Sequence, residues 1–252
     1  DEISPLLGVG VIGVLPKIKS KQLDSDGLVG RILELQPASL ASEAFRTIRT
    51  AVLLGLSNGE KSLLITSPEP GEGKSFVCSN LALTLAQAGH KVLLLELDLR
   101  KPIQKNTYEI QPDEHDLCSV LAGQCTLEQA IQHYHEDSET TMDVLPCLQH
   151  LHNPSEIIGS HAFEQLFQTL CERYDKVLID SPPVLPVADS RILASMAEAT
   201  ILVLRANKSG RKPSEHAVHI LKNSGARILG VVMNDIRIHK SGQYGYLYGY
   251  DY

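Results

Sequence analysis

One stretch decides the fold of this chain: Ser62-Leu-Leu-Ile-Thr-Ser-Pro-Glu-Pro-Gly71-Glu-Gly73-Lys74-Ser75. A short apolar run leads into a turn rich in Pro and Gly, and a helical pattern then runs from Lys74 to Ala88, where Gly89 ends it. Glycines let backbone N–H groups approach an anion, and the helix N-terminus adds partial positive charge. The stretch therefore predicts a phosphate-binding loop between a strand and a helix. The alternative is a chance glycine-rich turn, because Pro68 stands where the strict loop pattern has Gly.

Further apolar runs of the same kind follow along the chain. Each is short, rich in Val, Ile and Leu, and lacks the polar alternation of a half-exposed strand. With Ser62–Thr66 they are Lys91–Leu97, Lys176–Ile179, Thr200–Leu204 and Ile228–Met233. Helical segments lie between them. Alternating strands and helices predict an α/β sandwich of the P-loop NTPase type, with a mostly parallel central sheet and helices on both faces.

Two helix starts can be read from the sequence outside the loop. A helix is predicted from about Ser39 to Leu56, after Pro37. Another is predicted at Asn153-Pro-Ser-Glu156, where Asn would cap the helix, Pro suits its first turn, and Glu three residues later would complete a capping box.

Three acidic residues follow predicted strands. Glu96 and Asp98 close the second strand, and Asp180 follows the apolar run of a later one. The carboxyl ends of parallel strands meet at one edge of the sheet, where such folds bind their ligands. Beside the loop, these acids and the Ser75 hydroxyl are the oxygen ligands that Mg²⁺ needs for phosphoryl transfer, and Lys74 can reach the β- and γ-phosphates. The alternative is a set of ordinary solvated acids.

Composition excludes several classes of function. The chain has 252 residues and a formal net charge of -7, which argues against a nucleic-acid-binding surface. Its five cysteines include no Cys-x-x-Cys pair, which indicates reduced thiols in a cytoplasmic protein. The histidine pairs, His133 with His135 and His150 with His152, lack partners at ligand spacing and are interpreted as surface residues.

The carboxyl-terminal segment is rich in tyrosine. Five of the eight tyrosines occupy every second position of the last nine residues: Tyr244, Tyr246, Tyr248, Tyr250 and Tyr252. A terminal run cannot easily bury five phenol rings. We therefore interpret the segment as a substrate for an enzyme, and the predicted phosphate loop makes the same chain a candidate for that enzyme.

Taken together, these motifs resemble the bacterial tyrosine kinases of capsule and exopolysaccharide assembly. The resemblance covers the chain from about residue 35 to its end. It rests on the loop at 67–75, the acidic motif at 96–100, the second acidic strand at 177–180 and the tyrosine segment. A fifth motif, Glu43-x-x-Arg46-x-x-Arg49, looks like the family's ring-forming helix; by itself it could equally be a solvated face with an internal ion pair.

The resemblance implies a set of site residues. Lys74, Glu96, Asp98 and Asp180 would be catalytic, and Ser75 would join the three acids as metal ligands. The nucleotide-binding residues would be Pro70, Gly71, Glu72, Gly73, Lys74, Ser75, Phe76, Arg100 and Asn234. The family motif usually has Asp at the position of Glu96, and Glu carries its carboxylate one methylene further out. For Asn234, a turn residue before Asp235 is an equal alternative to an adenine contact.

The resemblance also implies cofactors, partners and a cellular location. ATP and Mg²⁺ would be the cofactors. The partners would be further copies of the chain in a ring, an octamer by analogy with the family, in which the tail of one subunit enters the site of its neighbour, together with a tyrosine phosphatase. The chain would be the cytoplasmic part of an inner-membrane protein whose transmembrane and periplasmic domain precedes it. We divide it into an irregular lead-in or linker (1–36), a kinase domain (37–240) and a flexible tail (241–252), and the apolar stretch Pro5–Pro16 within the lead-in suits a short strand or linker.

Two other classes of protein remain open. Partitioning and cell-division ATPases share the predicted fold, but they carry a second lysine five residues before the loop lysine, where this chain has Glu69. A non-catalytic assembly subunit would use its nucleotide site to control polymerisation and its tail as an adhesive strand. Gly245, Gly249 and Asp251 disfavour such a strand.

Overall fold

The computed structural model describes residues 3–18, 28–111, 114–135, 140–148, 151 and 153–237. Its strands are β1 Val11–Pro16, β2 Ser62–Thr66, β3 Val92–Glu96, β4 Gln132–His135, β5 Thr141–Leu145, β6 Lys176–Asp180, β7 Ala199–Arg205 and β8 Ile228–Ile236. Its α-helices are α1 Ile3–Leu7, α2 Ile32–Leu35, α3 Leu40–Gly55, α4 Lys74–Ala86, α5 Gln104–Thr107, α6 Leu117–Leu121, α7 Leu127–Ala130, α8 Pro154–Ile158, α9 His161–Arg173, α10 Asp189–Met196 and α11 Arg211–Asn223. A 3₁₀ helix, Leu28–Arg31, precedes α2.

The strands form one eight-stranded sheet in the order β1-β8-β7-β2-β6-β3-β5-β4. Every neighbouring pair is parallel except β4 with β5. In the register of β3 with β6, Glu96 lies opposite Asp180, so the two acidic strand ends are neighbours. The predicted fold class, with its mostly parallel sheet, is confirmed.

The core has two layers because each central strand is buried on both faces. Along β2, Leu64 packs into one apolar cluster, together with residues of α8–α11, while Leu63 and Ile65 pack into a second cluster against α3 and α4. All five residues of β2 and all five of β3 are buried. This two-sided burial explains why their sequences read as continuous apolar runs.

The amino-terminal segment differs from the irregular lead-in that we expected. Val11–Pro16 forms β1, the strand that pairs in parallel with β8 at one edge of the sheet. The folded unit therefore begins well before residue 36. Gly13 makes this docking possible, since a Cβ at this position would lie 2.1 Å from Cγ1 of Ile48 on α3. The pairing could not be read locally because the partner strand lies more than 200 residues later in the sequence.

The predicted helix starts are partly confirmed. Ser39 caps α3 by accepting a hydrogen bond from the Ser42 N–H. Helix α8 begins at Pro154 as predicted, but the capping box at Asn153 is wrong. Asn153 has φ -124° and ψ 61°, outside the extended conformation of a capping residue, and its side chain makes no cap hydrogen bond. Within the described residues, no helix combines the length and apolar character needed to cross a bilayer.

Candidate active site

The phosphate loop leaves β2 and enters α4 as the sequence predicts. Gly73 precedes α4 in a left-handed conformation with φ 98°. A Cβ on this residue would also lie 2.1 Å from Nδ2 of Asn234, so only glycine fits on both counts. The first intrahelical bond of α4 runs from the Val77 N–H to the Gly73 carbonyl. The N–H groups of the preceding turn are therefore the anion-binding end of this helix.

Lys74 lies at the centre of the polar cluster. Its Nζ is 2.6 Å from Oδ2 of Asp98 and 3.7 Å from Oδ1 of Asp180. The Ser75 hydroxyl donates to Oδ1 of Asp180 over 2.9 Å. The structure thus brings together four predicted site residues, from the start of α4 and from the ends of β3 and β6.

Electrostatics couple the members of this cluster. Burial opposes the charge on Lys74, but the attraction of Asp180 and Asp98 prevails and raises the pKa of the ammonium. Burial raises the pKa of Asp180, against the opposing charge of Lys74. The ammonium occupies the space between two carboxylates, where a cation is favoured. The oxygen donors of Ser75, Asp98 and Asp180 are also the type that Mg²⁺ prefers, so these residues fit a magnesium ion.

Gln104 is a member of the site that sequence reasoning missed. Its Nε2 donates to Oδ2 of Asp180 over 2.8 Å, and its Oε1 accepts from the Ser79 hydroxyl over 2.9 Å. Gln104 is fully buried at the start of α5. It therefore fixes the orientation of the Asp180 carboxylate. No local motif marks it, because a lone Gln six residues after Asp98 has no recognisable spacing.

The carboxylate of Glu96, the other predicted catalytic acid of this motif, makes hydrogen bonds to the backbone. Its Oε1 accepts from the N–H groups of Ile103, at 2.5 Å, and Gln104, at 2.7 Å, while Oε2 accepts from the Cys147 N–H at 3.0 Å. The side chain is fully buried, and burial raises its pKa to about 8 against these three donors. Glu96 thus holds backbone segments together, and only Asp98 of the two acids contacts Lys74. The additional methylene of Glu gives the carboxylate the reach to meet both segments.

Glu72 is similarly occupied inside the phosphate loop. Its Oε2 accepts from the Glu69 N–H over 2.9 Å, and the Ser209 hydroxyl donates to its Oε1. The segment that follows β7 also braces the loop from outside, with Lys208 Nζ 2.7 Å from the Pro70 carbonyl and Arg205 Nη1 3.2 Å from that of Gly71. Because Glu72 is buried, its pKa is raised. These contacts tie the loop to the rest of the chain.

Three other predicted nucleotide-binding residues have protein partners. Arg100 pairs with Asp189 at the start of α10, with Nε 2.8 Å from Oδ2. The ring of Phe76 packs edge-on against Phe45, with 5.4 Å between the centroids. Asn234 lies within β8, beyond the expected strand end at Met233, and its Nδ2 donates to the Glu72 carbonyl over 3.0 Å. This contact joins the Asn234 side chain to the backbone of the phosphate loop.

The predicted ring-forming motif lies on α3. Glu43 forms an ion pair with Arg46, whose Nη2 also donates to the Pro37 carbonyl over 3.1 Å. The internal ion pair that we considered therefore exists. Arg49 points elsewhere and donates to the Thr84 carbonyl near the end of α4, at 3.2 Å. Glu43 and Arg46 remain candidates for a subunit contact, whereas Arg49 joins two helices of the same chain.

Several predictions concern residues outside the described ranges. All five candidate acceptor tyrosines, 244 to 252, and the pair His150 and His152 belong to them. His133 is described: its side chain is 65% exposed, and its Nδ1 lies 2.7 Å from Oδ1 of Asp143. His133 lies on β4, the strand at the edge of the sheet, which agrees with its interpretation as a surface residue.

The sequence of this chain is similar to those of several known proteins. The family described as "AAA domain" matches residues 61–224. The tyrosine-protein kinase YwqD of Bacillus subtilis is 38% identical over 212 residues, which cover 84% of this chain and 88% of YwqD. The tyrosine-protein kinase etk of Escherichia coli is 34% identical over 211 residues, or 83% of this chain, but the match spans only 28% of that protein.

Solved structures extend the comparison to the fold. The kinase domain of the Escherichia coli tyrosine kinase ETK superposes with a TM-score of 0.82 at 30% identity, covering 98% of both chains. The septum site-determining protein MinD of Pyrococcus horikoshii, complexed with Mg-ADP, superposes less closely, with a TM-score of 0.56 at 26% identity over 69% of this chain and 70% of that one. The similarity to kinase domains is thus higher in both coverage and TM-score.

Proposed function

The chain belongs to the family of bacterial tyrosine kinases, and from this membership we propose that it transfers the γ-phosphoryl group of ATP to its own carboxyl-terminal tyrosines, 244 to 252, presented by a neighbouring copy. The observation that carries the proposal is the position of Lys74, which lies between Asp98 and Asp180 at the end of a phosphate loop. A cation beside two carboxylates and a helix N-terminus is the apparatus for positioning a nucleoside triphosphate.

Each residue of the cluster has its own role in the proposed reaction. Lys74 turns from Asp98 to the β- and γ-phosphates when a nucleotide enters the loop. Ser75, Asp98 and Asp180 would hold Mg²⁺, whose charge would neutralise that of the phosphates. Asp98, the acid that contacts Lys74, orients the incoming phenol and takes its proton, which a group with a pKa of about 10 does not readily release by itself. The tyrosine oxygen bonds to the γ-phosphorus, the bond to the β,γ-bridging oxygen breaks, and ADP leaves.

Family membership supports a proposal about the assembly and its setting. We propose that copies of the chain form a ring through the exposed Glu43 and the half-buried Arg46 of α3, and that phosphorylation regulates polymerisation and export of a capsular polysaccharide or exopolysaccharide at the cytoplasmic face of the inner membrane. The chain's own membrane and periplasmic domain and a tyrosine phosphatase are the proposed partners.

Intact mass spectrometry tests the kinase activity. Protein first stripped by a phosphatase is incubated with ATP and Mg²⁺. We expect additions of one phosphate at a time, and none in Lys74→Met or in a chain truncated after Gly242. If wild-type protein gains no phosphate, the proposal fails.

A mixing experiment tests delivery between copies. Full-length Lys74→Met supplies the tail but no catalysis, and the truncated wild-type chain supplies catalysis but no tail. Phosphate on the Lys74→Met chain in the mixture supports transfer between subunits. If the mixture stays unmodified while wild-type protein is phosphorylated, transfer occurs within one chain.

The fold shared with MinD supports a second candidate function, that of a non-kinase P-loop ATPase or assembly subunit. Such a protein would release inorganic phosphate from ATP, or polymerise with it, without any gain of mass. Glu69 at the place of the second lysine disfavours it, and that residue's N–H is bound by Glu72. Steady release of inorganic phosphate together with an unchanged intact mass would favour this candidate over the kinase.

A further inference from the structure

Two cysteines that lie 29 residues apart in sequence meet beside a carboxylate. The Sγ atoms of Cys118 and Cys147 are 3.9 Å apart. Asp116 adds a carboxylate oxygen, and the three ligand atoms all lie within 4.8 Å of one another. Among the described residues, this is the group in which three such ligand atoms converge. From this convergence we propose a binding site for a divalent metal of intermediate softness, with Zn²⁺ as its natural probe.

The separation of the sulfur atoms fits a shared metal ion. Zn–S bonds of about 2.3 Å at a tetrahedral centre place two sulfurs about 3.8 Å apart. A disulfide would instead require about 2.05 Å between them. The ligand set of two thiolates and one carboxylate suits zinc, and it leaves a fourth position for water or a small ligand.

The carboxylate is already held in place for this task. Oδ1 of Asp116 accepts from the N–H and the hydroxyl of Ser119, and Oδ2 accepts from the Leu148 N–H at 2.9 Å. Asp116 caps α6, and Cys118 is the second residue of that helix, while Cys147 follows β5. Such outer hydrogen bonds orient a metal ligand before the ion arrives.

The local charge favours a cation. A metal ion between the two sulfurs also gains the attraction of the Asp116 carboxylate. Cys147 is fully buried, so a thiolate there is costly unless a cation compensates it. A metal ion supplies that charge and releases the thiol protons as it binds.

The site is linked to the catalytic cluster by a short chain of hydrogen bonds. The N–H of Cys147 donates to Glu96, Glu96 accepts the N–H of Gln104, and Gln104 donates to Asp180. An ion on Cys147 would therefore stiffen the segment on which the active-site carboxylate rests. The metal site itself does not depend on the kinase activity proposed above.

Cobalt substitution provides the direct test. Reduced protein in excess Mg²⁺, without nucleotide, is titrated with Co²⁺. We expect one ion per chain, with the thiolate-to-cobalt charge-transfer absorption and the intense visible bands of a tetrahedral centre, and Zn²⁺ should displace it. Absence of the thiolate band at saturation would overturn the proposal.

Variants locate the site. Cys118→Ser, which changes a half-buried side chain, should weaken Zn²⁺ binding by at least ~100-fold, since losing a ligand costs no less than losing an outer contact. Cys147→Ser should do the same, and Asp116→Asn should weaken it to a lesser extent. Cys171→Ser on α9 is the matched control and should bind like the wild type. Wild-type affinity in Cys118→Ser, or a mass 2 Da lower from a Cys118–Cys147 disulfide in place of a bound ion, would contradict the site.

Discussion

Asp98 and Glu96 stand two residues apart but have different surroundings. Asp98 contacts the Lys74 ammonium at 2.6 Å, whereas Glu96 accepts hydrogen bonds from the backbone N–H groups of Ile103, Gln104 and Cys147. A group that touches a reacting centre affects the rate, while one that satisfies buried backbone affects stability. Replacing Asp98 should therefore lower the reaction rate, and replacing Glu96 should lower the stability.

The first prediction contrasts these replacements. Asp98→Asn should lower the rate of autophosphorylation by ~10²–10⁴-fold, because the amide cannot take a proton. Glu96→Ala should chiefly lower the free energy of unfolding, because each buried N–H left unsatisfied costs ~1–3 kcal/mol. Phosphate incorporation and urea denaturation measure the two effects. A Glu96→Ala protein with wild-type stability but a lost rate would instead assign Glu96 to the chemistry.

The second prediction concerns pH. Burial raises the pKa of Glu96 from 4.5 to about 8 in the folded chain, so between these values the folded state holds a proton that the unfolded state has released. The contribution of Glu96 to stability should then be complete below about pH 4.5 and decline as the pH rises towards 8, by up to ~1.4 kcal/mol per pH unit.

Glu96→Gln is the matched control for this pH dependence, since an amide resembles the protonated acid but does not titrate. Urea denaturation at a series of pH values should show a steeper decline for the wild type than for the variant. Equal slopes for the two proteins would mean that Glu96 is ionised in the folded state.

At the scale of elements, the strands that sequence reasoning found share one property. β2, β3, β6 and β7 are buried on both faces along most of their length and β8 is buried at its centre, and their apolar runs are local signals. Strands β4 and β5 were not predicted, because neither reads as a continuous apolar run: β4 is Gln-His-Tyr-His at the edge of the sheet, and β5 contains Thr141 and Asp143. For β1 the sequence left strand and linker open, because the chain reaches its partner only at residue 228.

The candidate site could also be predicted only in part, for the same reason. The loop and the acids at strand ends could be predicted because each follows its own strand. Gln104, the backbone contacts of Glu96 and the meeting of Cys118 with Cys147 could not, because each joins segments that are adjacent only after folding. The reach of a side chain across a gap has no periodicity in sequence.

The third prediction concerns helix α3, where replacing Arg46 and replacing Arg49 should have different effects. Arg46 pairs with Glu43 on the surface, and an exposed ion pair is worth less than ~1 kcal/mol. Arg46→Ala should leave the free energy of unfolding within ~0.5 kcal/mol of the wild type and lower the mass of the oligomer. Arg49→Ala should lower the stability itself, by about 1 kcal/mol, because Arg49 bonds the Thr84 carbonyl of α4.

Light scattering and urea denaturation measure these two properties on the same samples. Thr47→Ala, an exposed change on the same helix, is the control for the substitution itself. If Arg46→Ala kept the full oligomer mass at every concentration, α3 would not be the subunit contact.

The charge of the tail decides whether the tail can approach the acidic site of a neighbouring copy. The side chains of an unmodified tail are neutral apart from Asp251, so it can approach a cluster that contains Asp98 and Asp180. Each phosphate adds about -1.5 to -2 of charge, so five would add roughly -7.5 to -10 to a chain whose formal net charge is -7. A modified tail should therefore be expelled from a neighbour's acidic site.

The fourth prediction follows from that repulsion: full phosphorylation should lower the mass of the oligomer. Sedimentation of a fully phosphorylated sample, a phosphatase-treated sample and a chain truncated after Gly242 measures it. The effect should weaken as ionic strength rises past 0.1 M, where the screening length falls to about 10 Å. A phosphorylated sample that sediments like the phosphatase-treated one at low salt would rule out charge as the force that loosens the ring. A loss of mass that persists at high salt would instead indicate that the modified tail is excluded by its size.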